Sequence, residues 1–304
     1  MPPGEPSPAL PCRGIFVLGV DRSGTSLLSD LVCRWGAYPG EADVLGETDS
    51  YNPQGYFEYS PMQKLLSDLT LSTGVLEWDP RFHSLLKLRA HDPNFRRQAL
   101  ALVAGMEKEG GPWLWKEPFL CLHMPFWEQV IPAPVCVMTV RNPQDSALSF
   151  TRMNLRSLAD RISLTSYFSL RWQKFMLAVL EYFESNPEHL VVQYEELLRD
   201  PAGQVRRLCR FLDQRFGQVG GEEERAAAML AAIDPKLWRN RAASSFFEIP
   251  EATEAQKELL RYLHLRAADV RPPFDPERYP FPPHYQEYLE NFLLLSTKIS
   301  MSAK

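Results

Sequence analysis

A short glycine-bearing loop near the start of the chain has the residue types of an anion-binding site. Residues 19–26 read GVDRSGTS and lie between an apolar run and a segment with helical spacing. Backbone N–H groups at a strand-to-helix turn point outward, and the helix dipole adds partial positive charge. Arg22 would add a guanidinium, whose forked donors suit phosphate-like groups. The loop therefore predicts a site for an anionic ligand.

The loop matches only part of the nucleoside triphosphate pattern G-x-x-x-x-G-K-[ST]. Gly19, Gly24 and Ser26 fit that pattern, whereas Thr25 stands at the lysine position. In triphosphatases that lysine reaches the β- and γ-phosphates beside Mg²⁺, so its absence argues against a triphosphate substrate. A purely structural turn with an exposed arginine is the alternative interpretation.

A second cation follows another apolar run. Arg141 precedes Asn142-Pro143 and a helical segment that carries Ser149, and proline suits a first helical turn. Because the carboxyl ends of parallel strands line one crevice, we expect Arg22 and Arg141 to converge there. Two such cations suit a ligand with two separate anionic groups. The alternative is a surface arginine paired with Asp145.

Lys116 ends a third apolar run, in the sequence WLWK, and would lie at the same edge of the sheet. A lysine there is a mobile point charge that can follow negative charge as it develops during group transfer. The alternative is a surface lysine that ends a strand.

The elements that must position these residues alternate between strand and helix. Short apolar runs predict strands over residues 14–20, 113–116, 134–141 and 189–194. Helical spacing predicts helices over residues 25–35, 163–185 and 197–212, and then over 222–233, 254–264 and 285–299. Repeated β-then-α order indicates an α/β fold with a parallel sheet flanked by helices and a helical C-terminal region. We expect one domain over residues 1–304, with a core over about 14–213 and an extension over 214–304.

Composition excludes several classes of function. The chain has 304 residues, 45% of them apolar, and a formal charge of −5, which favours neither nucleic acid nor an anionic membrane as partner. Its five cysteines form no Cys-x-x-Cys pair and lie mostly among apolar neighbours, as core thiols in a reducing compartment would. No apolar run approaches eighteen residues and the start lacks a signal-peptide pattern. We therefore expect a cytoplasmic protein without a membrane span.

Together, the three motifs resemble those of sulfotransferases that use 3′-phosphoadenosine 5′-phosphosulfate (PAPS). Residues 20–28, VDRSGTSLL, are similar to that family's 5′-phosphosulfate loop, in the arginine-containing form of tyrosylprotein and many bacterial members. Residues 141–149, RNPQDSALS, resemble its 3′-phosphate motif. The likeness covers roughly residues 14–213 and implies a P-loop-like fold, with 3′-phosphoadenosine 5′-phosphate (PAP) as the product.

The resemblance also implies roles for individual residues. Lys116 matches a basic residue near the transferred sulfuryl group, and Arg22 joins it as a catalytic cation. Sulfuryl transfer to a hydroxyl, phenol or amine should be an in-line displacement like phosphoryl transfer, and no metal is needed where cations supply the positive charge. The implied cofactor-binding residues are Arg22, Ser23, Gly24, Thr25, Ser26, Arg141, Ser149 and Tyr194.

The proton acceptor is expected in the loop after the first helix, where the family usually has a carboxylate or a histidine. Glu58 is the first candidate, because it ends the sequence NPQGYFE, which resembles an element common in bacterial members. Glu47 is second and Glu41 third. Three histidines between the motifs are further candidates: His83, His91 and His123.

The C-terminal part departs from the cytosolic steroid and phenol sulfotransferases, whose glycine-rich 3′-phosphate loop has no match. The nearest basic element contains Arg239 and Arg241, which are candidate contacts to cofactor or acceptor. The amphipathic segment 285–299 is expected to cap the core, with a homodimer seam as the alternative. The acceptor itself is expected to be a small molecule, a carbohydrate or a natural product.

Two other functions fit the same fold. A P-loop kinase or other nucleotide phosphotransferase would require lysine at position 25, where Thr25 stands, and an acidic strand end, where Arg141 stands. A non-catalytic nucleotide-binding scaffold would show broken motifs, but the residues of both motifs are present. Sulfuryl transfer is therefore the preferred hypothesis.

Overall fold

A four-stranded parallel sheet forms the centre of the computed structural model, which describes residues 13–46, 55–131, 134–154, 164–234, 245–283 and 285. The strands are β1 (Gly14–Leu18), β2 (Trp113–Lys116), β3 (Val135–Val140) and β4 (His189–Gln193). Their order across the sheet is β2-β1-β3-β4, and every neighbouring pair is parallel. The predicted α/β fold with a central parallel sheet is confirmed.

Helices connect the strands and follow the last one. Their bounds are α1 (Thr25–Trp35), α2 (Ser60–Thr73), α3 (Phe82–Arg89), α4 (Pro93–Glu107), α5 (Leu120–Val130), α6 (Pro143–Asn154), α7 (Leu164–Ser185), α8 (Tyr194–Arg199), α9 (Pro201–Phe216), α10 (Glu222–Leu230) and α11 (Glu254–Ala267). The prediction of one helix over residues 197–212 is wrong. Asp200 caps α9 by accepting a hydrogen bond from the N–H of Gly203, and Pro201 cannot continue the ladder of α8 because it has no N–H.

The sheet is buried on both faces, which explains why its strands have continuous apolar sequences. Phe16 and Leu18 of β1 belong to the core cluster on one face, together with Trp115 and residues of α2, α3, α5 and α7. Ile15 and Val17 belong to the cluster on the other face, which includes residues of α1, α9 and α10. All four β1 side chains are fully buried. Alternation of strand side chains therefore builds two cores on one rigid sheet.

The C-terminal helix α11 is joined to the sheet by a buried arginine. Arg266 donates a hydrogen bond to Nε2 of His189 on β4 at 2.7 Å and another to the hydroxyl of Tyr262 at 2.8 Å. His189 Nδ1 lies 2.7 Å from the carbonyl oxygen of Asn186. Burial lowers the pKa of His189 to about 4, so its ring is neutral at pH 7 and Nε2 can accept from Arg266. We propose that the C-terminal extension belongs to the same domain as the sheet.

Replacing Arg266 with leucine is expected to destabilise the whole domain by about 3 kcal/mol, because it removes one partner from a buried polar network. Urea unfolding should be followed by both circular dichroism and tryptophan fluorescence. We expect the two probes to shift together in one transition. Arg210→Leu, at an exposed ion pair with Glu222, is the control and should change little. Separate transitions for the two probes would contradict a single domain.

Other sequence expectations concern cysteines, membranes and metals. Cys121, Cys136 and Cys209 are buried and Cys33 is partly buried, as expected for core thiols. None of the helices in the described ranges is both long and apolar enough to span a bilayer. Across those same residues, no three His, Cys, Asp or Glu side chains gather into a group that could hold a metal ion.

Candidate active site

The loop between β1 and α1 has an unusual backbone that its neighbours hold in place. Arg22 has a φ of +63°, in the left-handed region that side chains other than glycine seldom adopt. Its carbonyl oxygen accepts hydrogen bonds from Nη1 of Arg141 at 3.1 Å and from the hydroxyl of Ser146 at 3.3 Å. These two contacts tie the loop after β1 to the segment after β3. These contacts therefore hold the strained backbone of Arg22 at the point where the ends of β1 and β3 meet.

Side chains of the two predicted motifs contact one another directly. Arg22 Nε donates a hydrogen bond to the hydroxyl of Ser149 on α6 at 3.0 Å. Arg141 lies over the ring of Tyr194, with its Cζ atom 4.6 Å from the ring centroid. Its Nη2 is 3.8 Å from a carboxylate oxygen of Asp145, and both side chains are 6% exposed. The alternative of a surface Arg141–Asp145 pair is therefore wrong, because the pair is buried.

Gly24 is required by its backbone and by its surroundings. Its φ is +99°, and a Cβ atom there would lie 2.3 Å from the ring of Tyr194. The tyrosine ring thus packs directly on the loop that carries Arg22. Five predicted residues, from three separate parts of the chain, form one cluster: Arg22, Gly24, Arg141, Ser149 and Tyr194.

The remaining loop residues shape the turn and begin α1. Both the N–H and the hydroxyl of Ser23 donate to the carbonyl of Val20, at 3.2 and 2.6 Å, so Ser23 closes the turn. Thr25 is buried and Ser26 partly buried at the start of α1. Within the described part of the chain, no side chain caps this helix, and its first turn has no acidic residue. The N-terminus of α1 is therefore suited to an anion.

A short ion pair lies at the adjoining strand end. Lys116, the last residue of β2, donates from Nζ to Oε1 of Glu58 at 2.6 Å. The other carboxylate oxygen of Glu58 accepts from Nε2 of Gln63 at 2.9 Å. The lysine side chain is 2% exposed and the glutamate 20%. The alternative of a surface lysine is therefore wrong, and Glu58 is the loop carboxylate that the structure brings to Lys116.

A second ion pair in the same region was not predicted. Arg171 on α7 donates from Nε to Asp21 of the loop at 2.8 Å. Its guanidinium stacks over Phe119 and Phe175, at 4.7 and 4.5 Å from their ring centroids. The sequence did contain a clue, because Arg171 lies four residues from both Tyr167 and Phe175, on an otherwise aromatic face of the helix.

Glu117, next to Lys116, is a further buried ionisable group that was not assigned a role from the sequence. Burial is the largest cause that raises its pKa, and the negative charges of Glu58 and Asp21 add to it, giving a pKa of about 8. The positive charge of Lys116 acts in the opposite direction. Glu117 is therefore mostly protonated at neutral pH.

The candidate histidines are poorly suited to accept a proton. Both ring nitrogens of His123 have partners, the hydroxyl of Thr70 at 3.0 Å and the carbonyl of Phe119 at 2.8 Å. Burial lowers the pKa of His123 to about 4 and that of His83 to about 3. His91 is exposed on the turn after α3. The structure gives none of the three a contact with the Lys116–Glu58 pair.

The other candidate residues lie elsewhere. Glu41 is exposed and accepts a hydrogen bond from the hydroxyl of Tyr38 at 2.9 Å. Among the described residues, Glu58 rather than Glu41 is the carboxylate that contacts Lys116. Glu47, Arg239 and Arg241 lie outside the described residues, as does nearly all of segment 285–299.

One solved structure with a TM-score above 0.5 supports the fold, and two further structures are similar to the chain. Sulfotransferase STF9 from Mycobacterium avium superposes with a TM-score of 0.52 at 16% identity, over 86% of this chain and 78% of that one. The sulfotransferase domain of the Synechococcus PCC 7002 olefin synthase has a TM-score of 0.46 at 18% identity, over 84% and 96%. A retinol dehydratase in complex with retinol and PAP has a TM-score of 0.37 at 16% identity, over 90% and 84%. No curated protein matches the sequence.

A family model identifies the chain more directly. The model described as "Sulfotransferase family" matches residues 14–218, which is more than half of the chain. The match contains both arginine motifs, the Lys116 strand end and Glu58, so it spans the whole site described above. It begins with β1 and ends just after α9. The chain belongs to the sulfotransferase family.

Proposed function

We propose that this enzyme transfers a sulfuryl group from PAPS to the hydroxyl of a small-molecule, carbohydrate or natural-product acceptor and releases PAP. One observation carries the proposal: the Arg22–Ser149 contact and Arg141 lie at one end of the sheet with the Lys116–Glu58 pair. The first group suits binding of a doubly anionic nucleotide. The second pairs a buried lysine with a carboxylate, which suits transfer to a hydroxyl.

The residues present fit such a nucleotide. Guanidinium groups with nearby hydroxyls are strong donors to phosphate, and α1 begins without a capping side chain within the described residues. Arg22, Gly24, Thr25 and Ser26 would hold the 5′ end, in a turn shaped by Ser23. Arg141 and Ser149 would hold the 3′-phosphate, and Tyr194 would contact the adenine. The bound donor supplies a sulfuryl group activated by its phosphate leaving group.

Lys116 and Glu58 would divide the work of the transfer. Lys116 can exchange its contact with Glu58 for negative charge that develops as the bond to the leaving group lengthens. Oε1 of Glu58 then becomes available to accept the proton of the acceptor hydroxyl, while Gln63 still holds Oε2. Arg22, Lys116 and the loop amides together supply positive charge, so we propose that no metal is required.

Calorimetric titration of the purified protein tests the cofactor class. We expect PAP to bind with a micromolar dissociation constant, roughly −8 kcal/mol, and ATP with Mg²⁺ not to bind. Binding of ATP alone would support the kinase alternative. Binding of neither nucleotide would contradict the proposal and support a non-catalytic scaffold whose nucleotide motifs no longer function.

The role of Arg141 is tested by comparing two nucleotides. Arg141→Ala is expected to weaken PAP binding by about 2 kcal/mol, or roughly 30-fold, because a buried phosphate loses a charged donor. Adenosine 5′-phosphate, which lacks the 3′-phosphate, should lose much less. Arg210→Ala, at an exposed ion pair, is the matched control. An equal loss for both nucleotides would mean that Arg141 supports the loop rather than the 3′-phosphate.

We also propose a cytoplasmic location, where buried thiols such as Cys121 and Cys209 remain reduced. A homodimer through residues 285–299 is the alternative to our expectation that this segment caps the core. Analytical ultracentrifugation of the full chain, and of a chain ending before residue 285, would test it. A monomer in both cases would exclude that seam.

A further inference from the structure

Five ionisable side chains gather at the carboxyl ends of β1 and β2. Two of the carboxylates contact a cation, since Glu58 lies 2.6 Å from Lys116 and Asp21 lies 2.7 Å from Arg171. The third carboxyl, Glu117, is 8% exposed. A hydrogen bond from the backbone N–H of Phe119 to the carboxyl group favours its ionised form, but Oε2 has no hydrogen-bond partner among the residues that the structure describes. A buried carboxylate oxygen without a donor is costly, whereas a protonated carboxyl is much less so.

The ionisable groups that interact electrostatically with Glu117 come from several elements. Asp21 follows β1, Lys116 ends β2, Glu58 precedes α2, Arg171 lies on α7, and the thiol of Cys121 lies on α5. The two cations are balanced by Glu58 and Asp21, so an ionised Glu117 would leave one uncompensated negative charge. Burial, followed by these two carboxylates, raises the pKa of Glu117 to about 8.

The protonation state of Glu117 decides how many carboxylates compete for Lys116. When Glu117 is neutral, Lys116 has Glu58 as its carboxylate partner and can exchange it for charge on a bound donor. When Glu117 is ionised, a second carboxylate attracts the ammonium and adds negative charge where an anionic donor must bind. We propose that Glu117 is a positioning residue that must carry a proton for sulfuryl transfer to proceed. Its effect on transfer rests on the proposed function, whereas its proton in the unliganded protein does not.

Infrared spectroscopy of the unliganded protein tests the proton. At pH 6.5 the difference spectrum between the unchanged protein and Glu117→Gln should contain a carboxylic acid C=O stretch. That band should disappear as the pH is raised through about 8. Absence of the band at pH 6.5 would overturn the proposal, because it would mean that Glu117 is already ionised.

The pH dependence of kcat/KM for PAPS tests the positioning role. Activity of the unchanged enzyme should fall about tenfold per pH unit above the midpoint of the infrared titration. Glu117→Gln, which is always neutral, should move this alkaline limb to higher pH. Glu181→Gln is the control, because Glu181 on α7 also has a pKa raised by burial but faces Lys174 and Lys87. That variant should keep the original limb.

The outcomes separate this inference from the proposed function. If the alkaline limb of Glu117→Gln lies at the same pH as that of the unchanged enzyme, the positioning role is overturned. It is also overturned if Glu117→Gln is inactive at every pH and Glu117→Asp restores activity. If Glu117→Gln does not fold, the carboxylic acid band is followed instead in the difference between spectra of the unchanged protein at pH 6.5 and at higher pH. A midpoint that differs from that of the alkaline limb then overturns the role. If the protein binds no PAP, the proposed function fails with the positioning role, and the infrared result still decides whether Glu117 holds a proton.

Discussion

Replacing Lys116 with methionine is expected to lower kcat by about 10²–10³-fold, while PAP affinity changes by no more than about threefold. Methionine keeps most of the length and apolar volume of the side chain but removes its charge. Lys116 is 2% exposed and contacts Glu58, on the β2 side of the sheet, away from the Arg22–Ser149 contact. Its loss should therefore affect transfer more than nucleotide binding.

Two measurements separate this effect from unfolding. Lys64→Met, on α2 at an exposed ion pair with Asp68, is the matched control and should leave kcat unchanged. Thermal unfolding of the Lys116 variant measures how much stability is lost when the Glu58 carboxylate loses the lysine and keeps its contact with Gln63. A loss of PAP affinity as large as the loss of kcat would mean that Lys116 is a binding residue. An unchanged kcat would remove it from the reaction.

The sequence predicted the sheet well because all four strands are buried on both faces. Such strands have uniformly apolar sequences, and β2 was predicted with the bounds that the structure shows. Helix α1 was predicted equally well, because its apolar side chains recur at helical spacing directly after the loop. The break between α8 and α9 was missed, although Asp200-Pro201 is a typical helix start, because the apolar pattern continues across it.

The residues of the site were less predictable where they depend on distant contacts. Both arginine motifs were found, because each is contiguous and lies at a strand end. The Asp21–Arg171 pair joins residues 150 positions apart, so the aromatic neighbours of Arg171 on its helix distinguish that arginine but could not indicate its partner. The pKa of Glu117 depends on charges from several elements, so its type and neighbours in sequence could not predict it.

Sheet order explains why two chemically different groups share one site. β1 lies between β2 and β3, so its loop adjoins the ends of both. Towards β3, the loop contacts Arg141 and Ser149, and the cluster there is cationic. Towards β2 and α7 lie the two ion pairs, Lys116–Glu58 and Asp21–Arg171. An anionic donor bound by the cationic cluster would thus present its reactive end to the two ion pairs, whose charges balance.

Glu58→Gln is expected to lower kcat by about 10²–10⁴-fold with PAP affinity nearly retained, because an amide of the same shape cannot accept the proton of the acceptor. The amide oxygen can still accept a hydrogen bond from Lys116, so the variant should keep the local packing. The measurement is the rate of sulfuryl transfer under saturating donor, together with calorimetric binding of PAP. Glu58→Asp should recover part of the activity if the carboxylate itself is needed.

Parallel glutamine variants of the other loop carboxylates decide whether Glu58 is the base. Glu41→Gln should remain active, because Glu41 is exposed and bonded to Tyr38. Glu47→Gln is the sharper comparison, since Glu47 was the second candidate from the sequence. If Glu58→Gln stays fully active while Glu47→Gln is inactive, Glu47 is the base. Glu58 would then act only as the counterion that holds Lys116 until the donor binds, and its loss should change the KM for PAPS rather than kcat.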